Sequence, residues 1–172
     1  MRVVAGDLRG RKISAPEGTT TRPTTDMARE AIFNALTSLD VIVEANVLDL
    51  FAGSGALGIE ALSRGAKHCT FIERDRDALA SLQDNIKKLG IADRTSVIRA
   101  DALLAAAKVT GVDLVMADPP YEFKNWQGLL LNISAPLVVA ESNREITGLK
   151  GWESMRSKRY GRTHVTYLRR VP

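Results

Sequence analysis

Residues 47–60 run VLDLFAGSGALGIE, and the fold of the chain turns on this stretch. An apolar run ending at Phe51 passes into glycines at 53, 55 and 58, and apolar residues at helical spacing follow. Glycines spaced G-x-G-x-x-G after a strand and before a helix form the turn of a βαβ unit that brings backbone close to a ligand. Gly53 and Gly55 permit the tight turn and the close approach, and Gly58 lets the helix settle on the sheet. Glu73 lies fifteen residues past Gly58, at the end of the next expected strand, where a carboxylate can accept from both hydroxyls of a ribose. The spacing is that of a nucleoside site.

Outward from this loop, short apolar runs alternate with helical periods, the signature of a parallel sheet. The expected strands are 46–51, 69–73, 95–100, 113–117 and 136–141. Between the second and third, Leu79, Leu82, Ile86 and Leu89 form a helical stripe stopped by Gly90. Upstream, Ala28, Ile32, Ala35, Leu36 and Leu39 share one face of a helix expected over 26–39, with Asp26, Glu30, Asn34 and Thr37 on the other and Thr25 or Asp26 as its cap. Residues 2–14 alternate around Gly6 and Gly10 as two short strands, a basic hairpin, and 15–26 is a Thr/Pro-rich loop. The segment from Trp152 to Arg170 contains two more strands joined near Gly161, an antiparallel hairpin closing a mostly parallel sheet.

At 172 residues, 45% hydrophobic and 26% charged, the chain has the make-up of one globular domain. We divide it into a basic hairpin and loop over 1–25 and a catalytic core over 26–172. The single cysteine, Cys69, excludes a disulfide framework and a cysteine-rich zinc site, and no metal is expected. The absence of a signal-like core or a long apolar run makes a soluble cytoplasmic protein the expectation. Charge is unevenly spread: residues 1–22 carry +3, residues 151–172 carry +5 and the middle carries −4. Basic ends around an acidic body suit a local polyanion footprint, of which nucleic acid is the commonest kind, although such cations also serve solubility.

The glycine loop alone admits a dinucleotide. Asp49, however, lies in the strand four residues before Gly53, where its carboxylate would face the loop and repel a pyrophosphate. An amino-acid ammonium would be attracted, and S-adenosylmethionine joins an amino acid, a sulfonium and an adenosine in one molecule. Asp101, just after the third strand, adds an acceptor for the adenine amino group. The plainer alternative is that one or two of these acids only cap helices.

The tetrad Asp118-Pro119-Pro120-Tyr121 follows the fourth strand. With proline near 5% of residues, D-P-P-aromatic arises by chance in on the order of one chain in a thousand of this length. Consecutive prolines stiffen the backbone and donate no amide hydrogen, leaving carbonyls to accept from a planar amino group. Asp118 supplies a further acceptor and Tyr121 a stacking face. Such a set suits the exocyclic amine of a nucleobase, whose lone pair is freed when fixed acceptors draw its nitrogen toward tetrahedral geometry.

With these motifs the chain resembles the class I S-adenosylmethionine-dependent methyltransferases, and more narrowly the bacterial 16S ribosomal RNA guanine-N2 methyltransferases. The resemblance runs through RVVAGDLRGRKI, RPTTDMAREAIFNAL, DLFAGSGALGIEALSRGA, FIERDRDAL, ADPPY and KRYGRTHVTYL. It implies an α/β, Rossmann-like, seven-stranded, mostly parallel sheet flanked by helices, with the N-terminal β-hairpin as an extension. It implies methylation of the N2 amine of a guanine, number 966 in 16S rRNA, on the small ribosomal subunit or its assembly intermediate. Asp49, Phe51, Gly53, Ser54, Gly55, Glu73, Arg74, Asp101 and Ala102 would hold the cofactor, and Asp118, Pro119, Pro120 and Tyr121 the flipped guanine. Arg22, Thr24 and Thr25 would close over the site or touch RNA, together with Arg156, Lys158 and Arg159. The stretch between Tyr121 and Pro136 is shorter than the resemblance leads one to expect, which bears on the wall beside the target base.

Competing readings are an adenine-N6 DNA methyltransferase, whose site also uses D-P-P-Y, a NAD-binding oxidoreductase, and a non-catalytic RNA-binding assembly factor. His68, His164 and Cys69 are expected to be structural, and Trp126 and Trp152 to pack in the core or at its rim.

Overall fold

The computed structural model describes residues 1–16 and 26–172. Arg22, Thr24 and Thr25 therefore lie outside the described residues, and with them the expected loop and the cap at Thr25. The elements in chain order are α1 (Asp26–Ser38), β1 (Asn46–Leu50), α2 (Ala56–Ser63), β2 (His68–Glu73), α3 (Arg76–Leu89), β3 (Thr95–Arg99), α4 (Ala102–Ala106), β4 (Leu114–Ala117), α5 (Trp126–Leu131), β5 (Leu137–Ser142), β6 (Trp152–Tyr160) and β7 (Thr163–Arg170). The expected strand positions hold to within a residue or so.

One seven-stranded sheet runs in the order β3-β2-β1-β4-β5-β7-β6. The first five strands are parallel, and β7 and β6 are antiparallel. Strand order reverses between β1 and β4, the switch point where open α/β sheets hold ligands beyond the carboxyl ends of their strands. β4 and β5 are buried throughout, as strands covered on both faces are. Alternate residues feed two cores. Val47, Phe71, Met116 and Val139 pack with α1, α2, α3 and the N-terminal Val3 and Ile13, while Leu48, Ile72, Val115 and Val138 pack with α4 and α5. Trp126 and Trp152 join the second core, and Cys69 is buried in the first. No helix among the described residues is long and apolar enough to cross a membrane.

Two expectations need correction in detail. The N-terminal hairpin is one isolated antiparallel bridge, Arg2 to Lys12, with hydrogen bonds between Val3 and Arg11, Gly10 and Val3, and Ile13 and Met1. A longer ladder is forestalled because the amides of Val4 and Ala5 donate to the Glu60 carboxylate instead, at 2.8 and 3.1 Å. In α1 the buried face is Ala28, Arg29, Ile32, Phe33 and Leu36. Leu39 lies past the helix end at Ser38 and is 44% exposed.

The fully buried Arg29 is the unexpected member of that face. Its guanidinium meets Asp26 at 2.9 Å and Glu60 at 3.5 Å, and it donates to the carbonyl of Arg2. Glu60, equally buried, also pairs with Arg64 at 2.9 Å. The network ties the first residues of the chain to α2, the helix that the glycine loop opens.

Candidate cofactor and base pocket

The glycine loop is held by hydrogen bonds and packing on all but its Gly53 edge. Gly53 (φ 58°) donates its amide to Glu73 Oε2 at 2.8 Å, and the other Glu73 oxygen accepts from the amides of Arg74 and Asp75, both at 2.9 Å. The Gly55 amide (φ 88°) bonds back to the Ala52 carbonyl at 2.9 Å. Both backbones sit in the left-handed region that favours glycine. A Cβ on Gly53 would meet nothing within 4 Å, so this edge of the loop is open to a ligand. A Cβ on Gly55 would lie 2.4 Å from Leu82 Cδ1, and one on Gly58 2.3 Å from the Phe71 ring. The last two glycines thus let α3 and β2 pack against α2, and only Gly53 faces open space.

Asp49 is where the strand pattern put it, at the switch point, 1% exposed, with Oδ2 accepting the Gly58 amide at 3.0 Å. Burial drives its carboxyl well above the usual carboxylate range, partly offset by the Gly58 amide, and the nearby carboxylates of Asp118 and Glu73 push it up further. Three acids from the ends of β1, β2 and β4 therefore converge electrostatically on one place. A pyrophosphate would add negative charge where the field of Glu73 and Asp118 already disfavours it at Asp49, whereas a cation would favour the ionised Asp49 carboxylate.

Asp101 caps α4: its Oδ1 accepts from the amides of Leu103 and Leu104 at 2.9 and 3.3 Å, while Oδ2 faces Arg74 at 3.6 Å. The plainer reading, a capping acid, describes its contacts in this structure. Arg74 is otherwise exposed, and Ala102 is buried in the first turn of α4. Ser54 turns its carbonyl toward Asn85 of α3, 2.9 Å away.

Phe51 adopts φ 59°, a conformation rare outside glycine and found where the surroundings hold a residue in place. Its ring meets Phe123 edge-on at 5.3 Å, and Phe123 meets Trp126 at the same distance. This aromatic row lies beside the Asp118–Tyr121 turn, so the short 122–135 stretch supplies a turn and α5 as the wall there. Within the tetrad, Pro119 is buried and Tyr121 is 41% exposed. The Pro120 carbonyl accepts the Phe123 amide at 3.0 Å, so one of its two lone pairs is already used within the turn.

Arg156, Lys158 and Arg159 are exposed on the edge strand β6, separated from the pocket by β7 and β5. Lys158 lies over the Tyr160 ring at 5.4 Å, and Arg159 Nε donates to the Gly161 carbonyl at 2.7 Å. His68 bonds Ser96 at 2.9 Å, a surface contact between β2 and β3. The sequence reading missed Phe123, Arg29 and Asn85. For Asn85 a signal existed, since a polar residue interrupts the apolar stripe of α3.

Comparison with known proteins gives the family and the fold. The family described as "Conserved hypothetical protein 95" matches residues 1–169. A protein named putative rRNA methyltransferase YlbH, from Bacillus subtilis, is 43% identical over 157 residues, covering 85% of this chain and 84% of that one. Ribosomal RNA small subunit methyltransferase D of Escherichia coli is 45% identical over 122 residues, covering 70% of this chain and 60% of that protein. Among solved structures, a putative methyltransferase, yhhF, from Escherichia coli superposes with TM-score 0.86 at 36% identity over 99% of this chain and 97% of the other. The magnesium protoporphyrin IX methyltransferase of Synechocystis, solved with bound SAM, has TM-score 0.66 at 13% identity over 84% of this chain and 79% of the other, a likeness of fold alone. The chain belongs to the Conserved hypothetical protein 95 family and is a methyltransferase.

Proposed function

We propose that this methyltransferase transfers a methyl group from S-adenosylmethionine to the N2 amine of a guanine in 16S rRNA, the nucleotide numbered 966, within the small ribosomal subunit or an assembly intermediate. The observation that carries the reading is the buried Asp49 carboxyl, flanked by Glu73 and Asp118, below a loop that opens at Gly53. That donor set fits a cofactor bearing an ammonium and a sulfonium and disfavours a nicotinamide dinucleotide. The names of the relatives support rRNA and the small subunit as the substrate class.

S-adenosylmethionine, when bound, supplies an electrophilic methyl group on sulfur. The chain does the rest by placement. Asp49 would face the cofactor's cationic end and Glu73 the ribose hydroxyls. Phe51, Ser54, Arg74 and Ala102 would complete the cofactor site, with Asp101 as acceptor for the adenine amino group. For the target base, Asp118 and the Pro119 carbonyl accept from the amine, and Tyr121 presents its ring for stacking. Two fixed acceptors on its N–H groups would draw the amine nitrogen toward tetrahedral geometry and free its lone pair. The departing proton goes to water or to Asp118. The basic strand β6 and the segment containing Arg22, Thr24 and Thr25 contribute phosphate contacts.

A labelled-methyl transfer assay on small subunits, naked rRNA, DNA and protein, followed by nucleoside analysis, tests this. N2-methylguanosine from small subunits or 16S rRNA is expected. N6-methyladenosine from DNA would move the chain to the adenine-N6 class, and absence of both transfer and cofactor binding would leave a non-catalytic assembly factor.

A further inference from the structure

Asn85 is a polar residue on the buried face of α3, 1% exposed, between Leu82 and Ile86. Its side-chain amide makes three hydrogen bonds in two directions. Oδ1 accepts from the Ser14 amide at 3.0 Å and Nδ2 donates to the Ser14 carbonyl at 2.9 Å, imitating a neighbouring β-strand. The other Nδ2 hydrogen goes to the Ser54 carbonyl at 2.9 Å. One buried amide therefore grips the N-terminal segment and the glycine loop together.

The Ser54–Gly55 peptide has its carbonyl on Asn85 and its N–H on the Ala52 carbonyl. Ser54 lies between two glycines at positive φ, so its peptide to Gly55 turns more freely than most backbone, and the bonds to Asn85 and Ala52 together select one orientation. A loop already in its ligand-bound shape spares the ordering cost of binding. The N-terminal segment gripped by the same amide is docked on α2 through Glu60 and Ser63 and carries Arg2, Arg9, Arg11 and Lys12.

We propose that Asn85 is a positioning residue that couples the N-terminal segment to the cofactor loop, so that displacing Ser14 loosens the grip on the methyl donor. The ligand's identity rests on the function proposed above; the coupling itself does not.

Amide hydrogen exchange on the ligand-free protein, with adenosylhomocysteine affinity by calorimetry, tests both levels. Asn85→Leu keeps the shape and removes the hydrogen bonds; Ser14→Pro removes the Ser14 N–H and leaves Ser54 untouched; Ser14→Ala keeps both backbone groups. Exchange across residues 50–58 is expected to rise at least tenfold in Asn85→Leu and about threefold in Ser14→Pro, to stay level in Ser14→Ala, and to stay level in β5 and β7 throughout. The adenosylhomocysteine Kd should rise in parallel, and the double variant should bind no more weakly than Asn85→Leu alone. Unchanged loop exchange in the folded variants, a uniform rise over the whole protein, or an unchanged Kd beside faster loop exchange would each overturn the proposal. If Asn85→Leu does not fold, the contrast between Ser14→Pro and Ser14→Ala decides. A wild type that binds no adenosylhomocysteine would sink the proposed function, and loop exchange would still decide the coupling.

Discussion

Residues 1–16 and the β6–β7 hairpin are both rich in arginine and lysine, yet the first is fastened by side chains that solvent never reaches and the second stands at the open edge of the sheet. The N-terminal segment hands its amides to Glu60, Ser63 and Asn85, all buried polar groups. The hairpin is held by its own ladder against β5, and its Arg156, Lys158 and Arg159 side chains are exposed. Charge of the same sign thus serves two designs. Cations on a segment anchored through the interior can transmit a contact to the cofactor loop, whereas cations on an edge strand act through their field and also discourage edge-to-edge pairing.

The contrast breaks most readily at Glu60. Glu60→Ala removes the buried partner of Arg29, leaving it the exposed Asp26 carboxylate, and leaves the Val4 and Ala5 amides without their acceptor, so urea unfolding should show a loss of about 3–5 kcal/mol. A loss under about 1 kcal/mol would mean that the N-terminal anchorage is as superficial as the hairpin's charges. Reversing Arg156, Lys158 and Arg159 to Glu should instead leave stability within about 0.5 kcal/mol. In the same variant the slope of log affinity for rRNA against log salt should shrink by about 2 to 3. An unchanged slope would show that this edge faces solvent in the complex.

Asp49 is the counterpart of Glu60, a buried acid with carboxylate neighbours in place of arginines. Its folded pKa is raised above the unfolded value, so the folded protein holds an extra proton between the two, and ligand-free stability falls as pH rises through that window. Asp49→Asn should remove this loss and raise the ligand-free melting temperature at neutral pH, by roughly 2–4 °C per kcal/mol of relief, while weakening binding of S-adenosylmethionine. In the wild type, binding of that cation should release a proton, visible as a buffer-dependent heat. A melting temperature lower than wild type in Asp49→Asn would show that its carboxylate is neutralised in the fold. The smallest effect belongs to the exposed Arg169–Glu153 pair, 2.6 Å apart on β7 and β6. A double-mutant cycle should find no more than about 1 kcal/mol, lost at high salt.

Much of the site was legible because its parts are local in sequence. The glycine spacing, the acid closing β2 and the D-P-P-Y turn each sit at the carboxyl end of a strand, and period-two and period-three-to-four patterns located those strands and helices. What each glycine does was not legible, since only the packing of Leu82 and Phe71 shows that Gly55 and Gly58 face inward. Arg29 was invisible for a like reason: Asp26, three residues back, reads as an ordinary surface partner, and the buried partner Glu60 is thirty-one residues away, where nothing in the local sequence announces it. The hairpin came out shorter than its alternation suggested because side-chain acceptors on α2 outcompeted a second strand for its amides.

The βαβ order, the carboxyl-edge place of the candidate site and the chemical type of its groups were readable from the chain, because backbone periodicity and short motifs depend on neighbours along it. Packing settled the rest: the upward shift of the Asp49 carboxyl, the tie between Pro120 and Phe123 within the proline turn, and the meeting of Ser14 and Ser54 on one asparagine. Those depend on desolvation and on hydrogen bonds, chiefly between residues far apart in the chain, which take effect only when the sheet and its helices have closed around them.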